Sequence, residues 1–350
     1  MRRNIPVVIG AGDGALVVAA AETVIPATLD HLQALTGTVP VLAITANRAA
    51  VLHINPTGED VLLIRIDDHM RNEGLEPVVD PADDLATPLK GPFRKSDEAL
   101  TTAHHAAIAL AKVARLLPAA VAATLPAKDP WRWARDHDLL YVEADEIFSY
   151  ERAAASALTR VAAARVPLAD AEDTRIIAFR PPAGGIEHLA IVIGDPSPHD
   201  PVLARIHSEC FTGDLLGSLK CDCGDQLRGA IAEINRAGGG VVLYLAQEGR
   251  GIGLINKLRA YSLQDQGFDT VDANERLGFL ADERLFEPAA QMLRAMGFDK
   301  VRLMTNNPDK VAGLEACGIT VVERVPHAFP SNRHNEGYLA TKKKRSGHYL

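Results

Sequence analysis

Cysteine is scarce in this chain: four residues in 350, three of them bunched between 210 and 223, with Cys317 apart. That is no disulfide framework, and it points to a reducing compartment, so a cytoplasmic protein is expected. Positive charge is in deficit, with 37 Lys and Arg against 45 Asp and Glu and a net charge of −8. A general nucleic-acid coat is therefore excluded and no nucleic-acid partner is expected. An anionic ligand would have to be met by a local cluster of cations. No run approaches the ~20 apolar residues of a membrane span, so no membrane partner is expected either. The Met-Arg-Arg start reaches Pro6 and a Gly/Asp turn without an apolar leader. What is present is ordinary in bulk, 47% hydrophobic and 23% charged, in a chain long enough for two cores.

The first half is chemically quiet. Gly10, Gly12 and Ala15 fit a dinucleotide G-x-G-x-x-A pattern, but that mechanism needs a helix after the turn and an acid about 20 residues on. Leu16-Val17-Val18 follows instead, so Gly12-Asp13-Gly14 reads as a turn between two strands. A helix is expected over 28–35 and a strand over 61–66. Residues 70–95, with four prolines, read as a loop, and Ser96 reads as the start of a helix over 99–117. His104 and His105 on that helix point in different directions, so a structural role fits them better than chelation. The Ala-rich stretch 156–173 reads as a linker, dividing a domain over 1–155 from one over 174–350.

The second half carries the chemistry. Residues 201–210 alternate as a strand that puts Arg205, His207 and Glu209 on one face and delivers Cys210 at its end. Cys221 and Cys223 follow, the latter opening a helix to Arg236. Thiolates suit Zn²⁺, and a catalytic zinc commonly has three protein ligands and one open position. Small buried residues in a reduced core are the other reading of such cysteines. Gln247-Glu-Gly-Arg-Gly-Ile-Gly253 is a glycine-rich loop able to approach phosphate, with Arg250 as its charge. Asp282 and Arg284 taken alone read as a surface pair. Thr305-Asn-Asn-Pro308 reads as a strand-to-helix turn, Cys317 as core, Lys342–Arg345 as a solvated basic tail, and His207 and His348 as outer contacts of the site.

Two resemblances follow from these motifs. Ala21–Asp30, the Leu110–Val121 stretch and Asp138–Tyr150 resemble the 3,4-dihydroxy-2-butanone-4-phosphate synthase family. That family's acidic loop and Gly-His-Thr-Glu element are missing; Ala103 and His105 stand where the His and Glu belong. The first half is therefore expected to keep the fold without the activity, serving assembly or regulation. A working synthase half, giving a bifunctional enzyme, is the alternative.

The second resemblance is closer. Arg205–Cys210, Cys221–Leu227, Gln247–Leu254, Asn256–Tyr261, Asp265–Thr270, Ala273–Phe279, Asp282–Arg284 and Thr305–Lys310, in that order, are similar to GTP cyclohydrolase II. The two resemblances imply an α/β (α+β) protein of two domains, the second with a mixed sheet. They also imply a homodimer that hydrolyses GTP to 2,5-diamino-6-ribosylamino-4(3H)-pyrimidinone 5′-phosphate, formate and pyrophosphate, the first step of riboflavin synthesis. Cys210, Cys221 and Cys223 would hold a Zn²⁺ that activates water toward guanine C8, and Mg²⁺ would accompany the phosphates. Tyr261 would complete deformylation, Asp282 would accept protons, and Arg284 would meet the α-phosphate as a covalent nucleophile or as an electrostatic clamp. Glu248 would read guanine, and Arg205, Arg250 and Lys310 would meet phosphate. Gln226, Thr270 and Thr305 would add hydrogen bonds, and Ile206, His207, Ser208, Glu209 and Gly249 would line the nucleotide. A catalytically idle GTP-binding regulator is the rival reading.

Overall fold

The computed structural model describes residues 1–350 except Thr57, Asn332, 336–340, Lys342, Lys343, Ser346, His348 and Leu350. Lys342 and Lys343 of the basic tail, and His348, thus lie outside the described residues. The chain forms two compact units, and neither is a single stretch of sequence. Met1–Tyr150 joins Ile255–Asp282, and Glu151–Leu254 joins Glu283–Leu350.

The first unit is built on a six-stranded sheet: β1 (Val7–Ala11), β2 (Gly14–Ala20), β3 (Val41–Thr45), β4 (Val61–Arg65), β5 (Ala119–Thr124) and β6 (Leu140–Glu143). Its order is β4-β3-β5-β2-β1-β6, with only β1 and β6 parallel. The two-residue turn Gly12-Asp13 joins β1 to β2, Ala11 facing Gly14, as its sequence predicts. β2 and β3 are buried along nearly their whole length, because helices cover both faces. The helix Thr102–Val113 presents Ala103, Ala106, Ala107 and Ile108 to Val18, Ala43 and Ala120. Alanine on both sides lets helix and sheet approach closely. The helix starts at Thr102 and not near 99: the side chains of Thr101 and His104 form a reciprocal cap. His104 is fully buried, and burial lowers its pKa to about 4. The stretch 70–95, expected as loop, contains the tail of a helix Asp68–Glu73 and a further turn of helix, Glu76–Val79.

The second unit holds a seven-stranded sheet: β7 (Thr159–Arg165), β8 (Thr174–Arg180), β9 (His188–Ile193), β10 (Val202–Ser208), β11 (Gly240–Leu245), β12 (Lys300–Met304) and β13 (Thr320–Val325). In the order β13-β12-β10-β11-β9-β8-β7, the first four strands are parallel and the last three add an antiparallel meander. Part of the segment 156–173, read as a linker, is sheet: β7 pairs with β8 from Thr159 to Arg165. Helices Glu287–Ala295 and Pro308–Ala316 cover one face through Ala290, Leu293 and Leu314. Helix Cys223–Arg236 covers the other through Ala230 and Ile234. β10, central and buried on both faces, is Val-Leu-Ala-Arg-Ile-His-Ser, the near-continuous apolar run of a covered parallel strand broken by two buried polar residues.

β10 runs into its neighbour β11 on one side, while β12 runs into β13 on the other. The connections leaving the carboxyl ends of β10 and β12 therefore diverge. Open parallel sheets hold their ligands in the crevice made at such a switch point.

Candidate active site

The three thiols are assembled directly beyond β10. Cys210 follows the strand, a five-residue π-helical turn Phe211–Leu215 bends the chain back, and Cys223 opens the helix to Arg236. The Sγ atoms of Cys210, Cys221 and Cys223 lie within 4.8 Å of one another, and Cys210 and Cys221 are buried. Among the described residues no other three His, Cys, Asp or Glu ligand atoms gather as closely.

The donor set fits zinc. A disulfide is excluded because Cys210 and Cys221 sulfurs are 3.7 Å apart, against ~2.05 Å in a bond. Two thiolates at the usual Zn–S length of about 2.3 Å around a tetrahedral ion stand roughly 3.8 Å apart. Gly213 closes the cradle: a Cβ there would lie 2.8 Å from Cys221 Sγ and 3.0 Å from Cys210 Sγ. Without a cation the cluster resists ionisation. The hydrogen bond with Cys210, together with burial, pushes Cys221 up to about 11, and the neighbouring sulfurs raise Cys223 well above the usual thiol range. A dication held by Cys210, Cys221 and Cys223 would supply the charge that favours their thiolates.

One carboxylate missing from the sequence-based site organises the first thiol. Asp214 accepts the Cys210 N–H at 3.0 Å, the Tyr244 hydroxyl at 3.0 Å and His207 Nε2 at 3.0 Å. His207 is buried and its pKa is lowered, chiefly by desolvation and against the pull of Asp214. A neutral ring facing a carboxylate carries its proton on Nε2. No local pattern singles out Asp214, which acts through chain folding; its position four residues after a cysteine was the one available signal.

Arg205 and Lys310 lie beneath the crevice, both buried. Arg205 donates to the Met304 carbonyl at 2.9 Å and to Gln226 Oε1, tying β10 to β12 and to the helix. Burial lowers its pKa to about 10, still cationic at neutral pH. Lys310 Nζ donates to the Ile206 carbonyl at 2.7 Å. Thr305 takes the Asn307 N–H at 3.0 Å, and Asn307 caps the helix that Pro308 opens. Three buried polar atoms at these strand ends, Arg205 Nε, Ser208 Oγ and Gln247 Oε1, have no hydrogen-bond partner among the described residues. Each such group is costly to bury unpaired, and together they give these strand ends a polar lining.

The loop after β11 carries backbone strain. Gly249 and Arg250 both adopt left-handed backbone (φ 63° and 62°), a cost of about 1–2 kcal/mol for the arginine. Glu248, buried, accepts the Phe211 N–H at 2.6 Å and the Gly249 N–H at 3.1 Å, joining the loop to the cysteine turn. Gln247 donates to the Leu285 carbonyl at 2.7 Å and Glu283 N–H donates to the Arg250 carbonyl at 3.0 Å. Arg284 is thus held between two tethers to the loop. Ile206 and Glu209 flank the same strand end.

These side chains come from stretches far apart in sequence, around 205–210, 221–227, 247–254, 282–284 and 305–310. A sequence model described as GTP cyclohydrolase II matches residues 159–326. A protein of Azospirillum brasilense named GTP cyclohydrolase-2 is 54% identical over 99% of this chain and 91% of its own length.

The chain belongs to the GTP cyclohydrolase II family.

Membership makes it an enzyme with GTP as its substrate. Proteins named riboflavin biosynthesis protein RibBA are similar over less of their length: one from Bacillus cereus is 48% identical over 62% of this chain and 54% of its own. One from Synechocystis is 44% identical over 79% of this chain and 52% of its own, so the chain spans about half of either. Among solved structures, RibBX from A. baumannii, a two-domain 3,4-dihydroxy-2-butanone 4-phosphate synthase, aligns with 94% of this chain at 16% identity and a TM-score of 0.35. The remaining residues singled out for GTP cyclohydrolase II chemistry, Tyr261, Thr270 and Asp282, belong to the first unit. Tyr261 is on the helix Leu254–Asp265 with the Lys257 ammonium 5.5 Å from its ring centroid, and Thr270 opens a helix capped by Asp269. No described helix is long and apolar enough to cross a membrane.

Proposed function

We propose that this enzyme opens the imidazole ring of GTP and releases formate and pyrophosphate, leaving 2,5-diamino-6-ribosylamino-4(3H)-pyrimidinone 5′-phosphate, the entry to riboflavin biosynthesis. The observation that carries this reading is the three-thiol cradle at the end of β10, in a chain of this family. Zinc bound to Cys210, Cys221 and Cys223 would supply Lewis-acid activation of the attacking water. The chain's own residues do the rest. Glu248 holds the cysteine turn against the glycine-rich loop, and by family resemblance it reads the N–H edge of guanine. Arg205 and Lys310 set positive charge under the crevice, which favours a triphosphate even where they do not touch it. Arg250 and Arg284 meet phosphate, with Mg²⁺ sharing the charge. A protonated guanidinium is a poor nucleophile, so Arg284 is assigned electrostatic clamping of the phosphates. Asp282 takes the proton roles and Tyr261 completes deformylation, both by family resemblance, as do the hydrogen bonds of Gln226, Thr270 and Thr305. The enzyme is proposed to act as a cytoplasmic homodimer, with the first 150 residues lacking butanone-phosphate synthase activity because the acidic loop is missing.

The test is direct. Purified protein with GTP and Mg²⁺ should yield equal amounts of formate and the diaminopyrimidine, with one zinc per chain by elemental analysis. Zinc without formate would sink the catalytic reading in favour of a GTP-binding regulator. A second aliquot given ribulose 5-phosphate should yield no butanone phosphate; any that forms makes the protein bifunctional.

A further inference from the structure

The segment Ile255–Asp282 is contiguous with the GTP cyclohydrolase II motifs in sequence, yet it packs with residues 1–150. Its contacts there are specific. Arg259, one helical half-turn before Tyr261, directs Nη2 at Glu22 Oε1 and Nε at Asp80 Oδ2, each at 2.8 Å. Its third nitrogen, Nη1, holds Asn256 Oδ1 at 2.8 Å. Glu22 is itself fixed, its other oxygen accepting the Leu117 N–H at 2.7 Å. At the far end of the segment, Asn47 donates to the Phe279 carbonyl at 2.7 Å, and the Phe279 ring is fully buried. Gly278, with φ +87°, lies so close to Thr45 and Pro118 that a Cβ would come within 2.8 Å of Thr45 Oγ1 and 2.9 Å of the proline ring. Midway, Gln266 donates to the Ala82 carbonyl at 2.9 Å.

A segment tied at both ends and in the middle is held in one geometry. An arginine gripped by two carboxylates, all three largely shielded from water, holds far more tightly than an exposed pair. We infer that residues 1–150 serve as the positioning scaffold for the segment that carries Tyr261, Thr270 and Asp282, with Glu22 and Asp80 gripping Arg259 as positioning residues. This rests on the proposed roles of Tyr261 and Asp282 and gives the otherwise quiet first half a task in the same reaction. A geometry lost by even an ångström at a reacting group costs heavily in rate.

The experiment uses the full chain with Glu22→Gln and Asp80→Asn combined, which removes both charges and keeps the shapes. Formate release should fall in kcat by about ten- to a hundredfold with little change in KM. Zinc content should stay unchanged, and amide exchange should quicken over residues 255–282. Glu22→Gln alone, which leaves Asp80 on Arg259, should recover part of the rate. Faster exchange in 255–282 with kcat unchanged would overturn the inference, as would a kcat loss with exchange there unaltered. If the double variant does not fold, Asn47→Ala, which removes one hydrogen bond, gives the same readings. Should the wild type release no formate, the functional reading fails by itself. The scaffold is then still judged by exchange in 255–282, and unaltered exchange in the variants overturns it.

Discussion

The Cys210 backbone N–H donates to Asp214 Oδ2 at 3.0 Å, across the turn that carries the chain from β10 toward the other two thiols. The same carboxylate satisfies His207 and Tyr244. Removing it strands the buried Cys210 N–H and His207 Nε2, at about 1–3 kcal/mol each, and the half-buried Tyr244 hydroxyl. Asp214→Ala is expected to retain the fold with a lowered melting temperature and to bind zinc about 10- to 100-fold more weakly. Competition with a chromogenic chelator measures this; unchanged zinc affinity would show that the turn keeps its shape without the carboxylate.

Gly213 isolates the cradle from the fold. Its Cβ position lies within 3.0 Å of two sulfurs and of Cys223 Cβ, while its backbone is not left-handed, so the conflict is one of space alone. Gly213→Ala should give a folded protein with substoichiometric zinc and formate release reduced in proportion. Full zinc occupancy in that variant would mean the turn gives way.

The buried imidazole of His104 sets an acid limit. Its folded pKa is depressed to about 4, by burial first and by His105 second, against an ordinary 6.5. The neutral form is therefore the one the fold accepts: its stabilisation is complete above pH 6.5 and drains away as pH falls toward 4. Full loss amounts to about 3 kcal/mol at most. Thermal unfolding of wild type should weaken over that window, and His104→Gln should flatten the acid limb. A parallel acid limb in the variant would assign the loss to other groups, His327 among them, since burial lowers its pKa to about 4 as well.

How much of this was readable beforehand depends on whether the signal was local. The β1–β2 hairpin and helix Cys223–Arg236 are legible because a two-residue turn, β-branched alternation and amphipathic spacing all lie within the segment itself. β7 reads as linker because the stretch is Ala-rich and leads to Pro167 and a polar turn, and in the fold its Thr-Arg-Val-Ala-Ala-Ala-Arg is exposed throughout. Its strand character comes from backbone pairing with β8, which leaves no mark on the side chains. The thiol ligands and the loop after β11 were legible as motifs, since their chemistry requires particular residue types. Asp214 is not, because its partners His207 and Tyr244 come from β10 and β11, apart in sequence. The packing of 255–282 with the first unit was invisible for the same reason: Arg259 meets Glu22 and Asp80 only after the chain has folded.

That packing also orders events during synthesis. The first 150 residues leave the ribosome well before their missing piece, and all of Glu151–Leu254 must be made before Phe279 can fill its place among them. Until then the nascent first unit waits with an uncovered apolar surface, the condition in which chains aggregate or recruit chaperones. Cutting the gene between the codons for Tyr150 and Glu151 would therefore not separate two self-sufficient proteins, although the two sheets invite that cut.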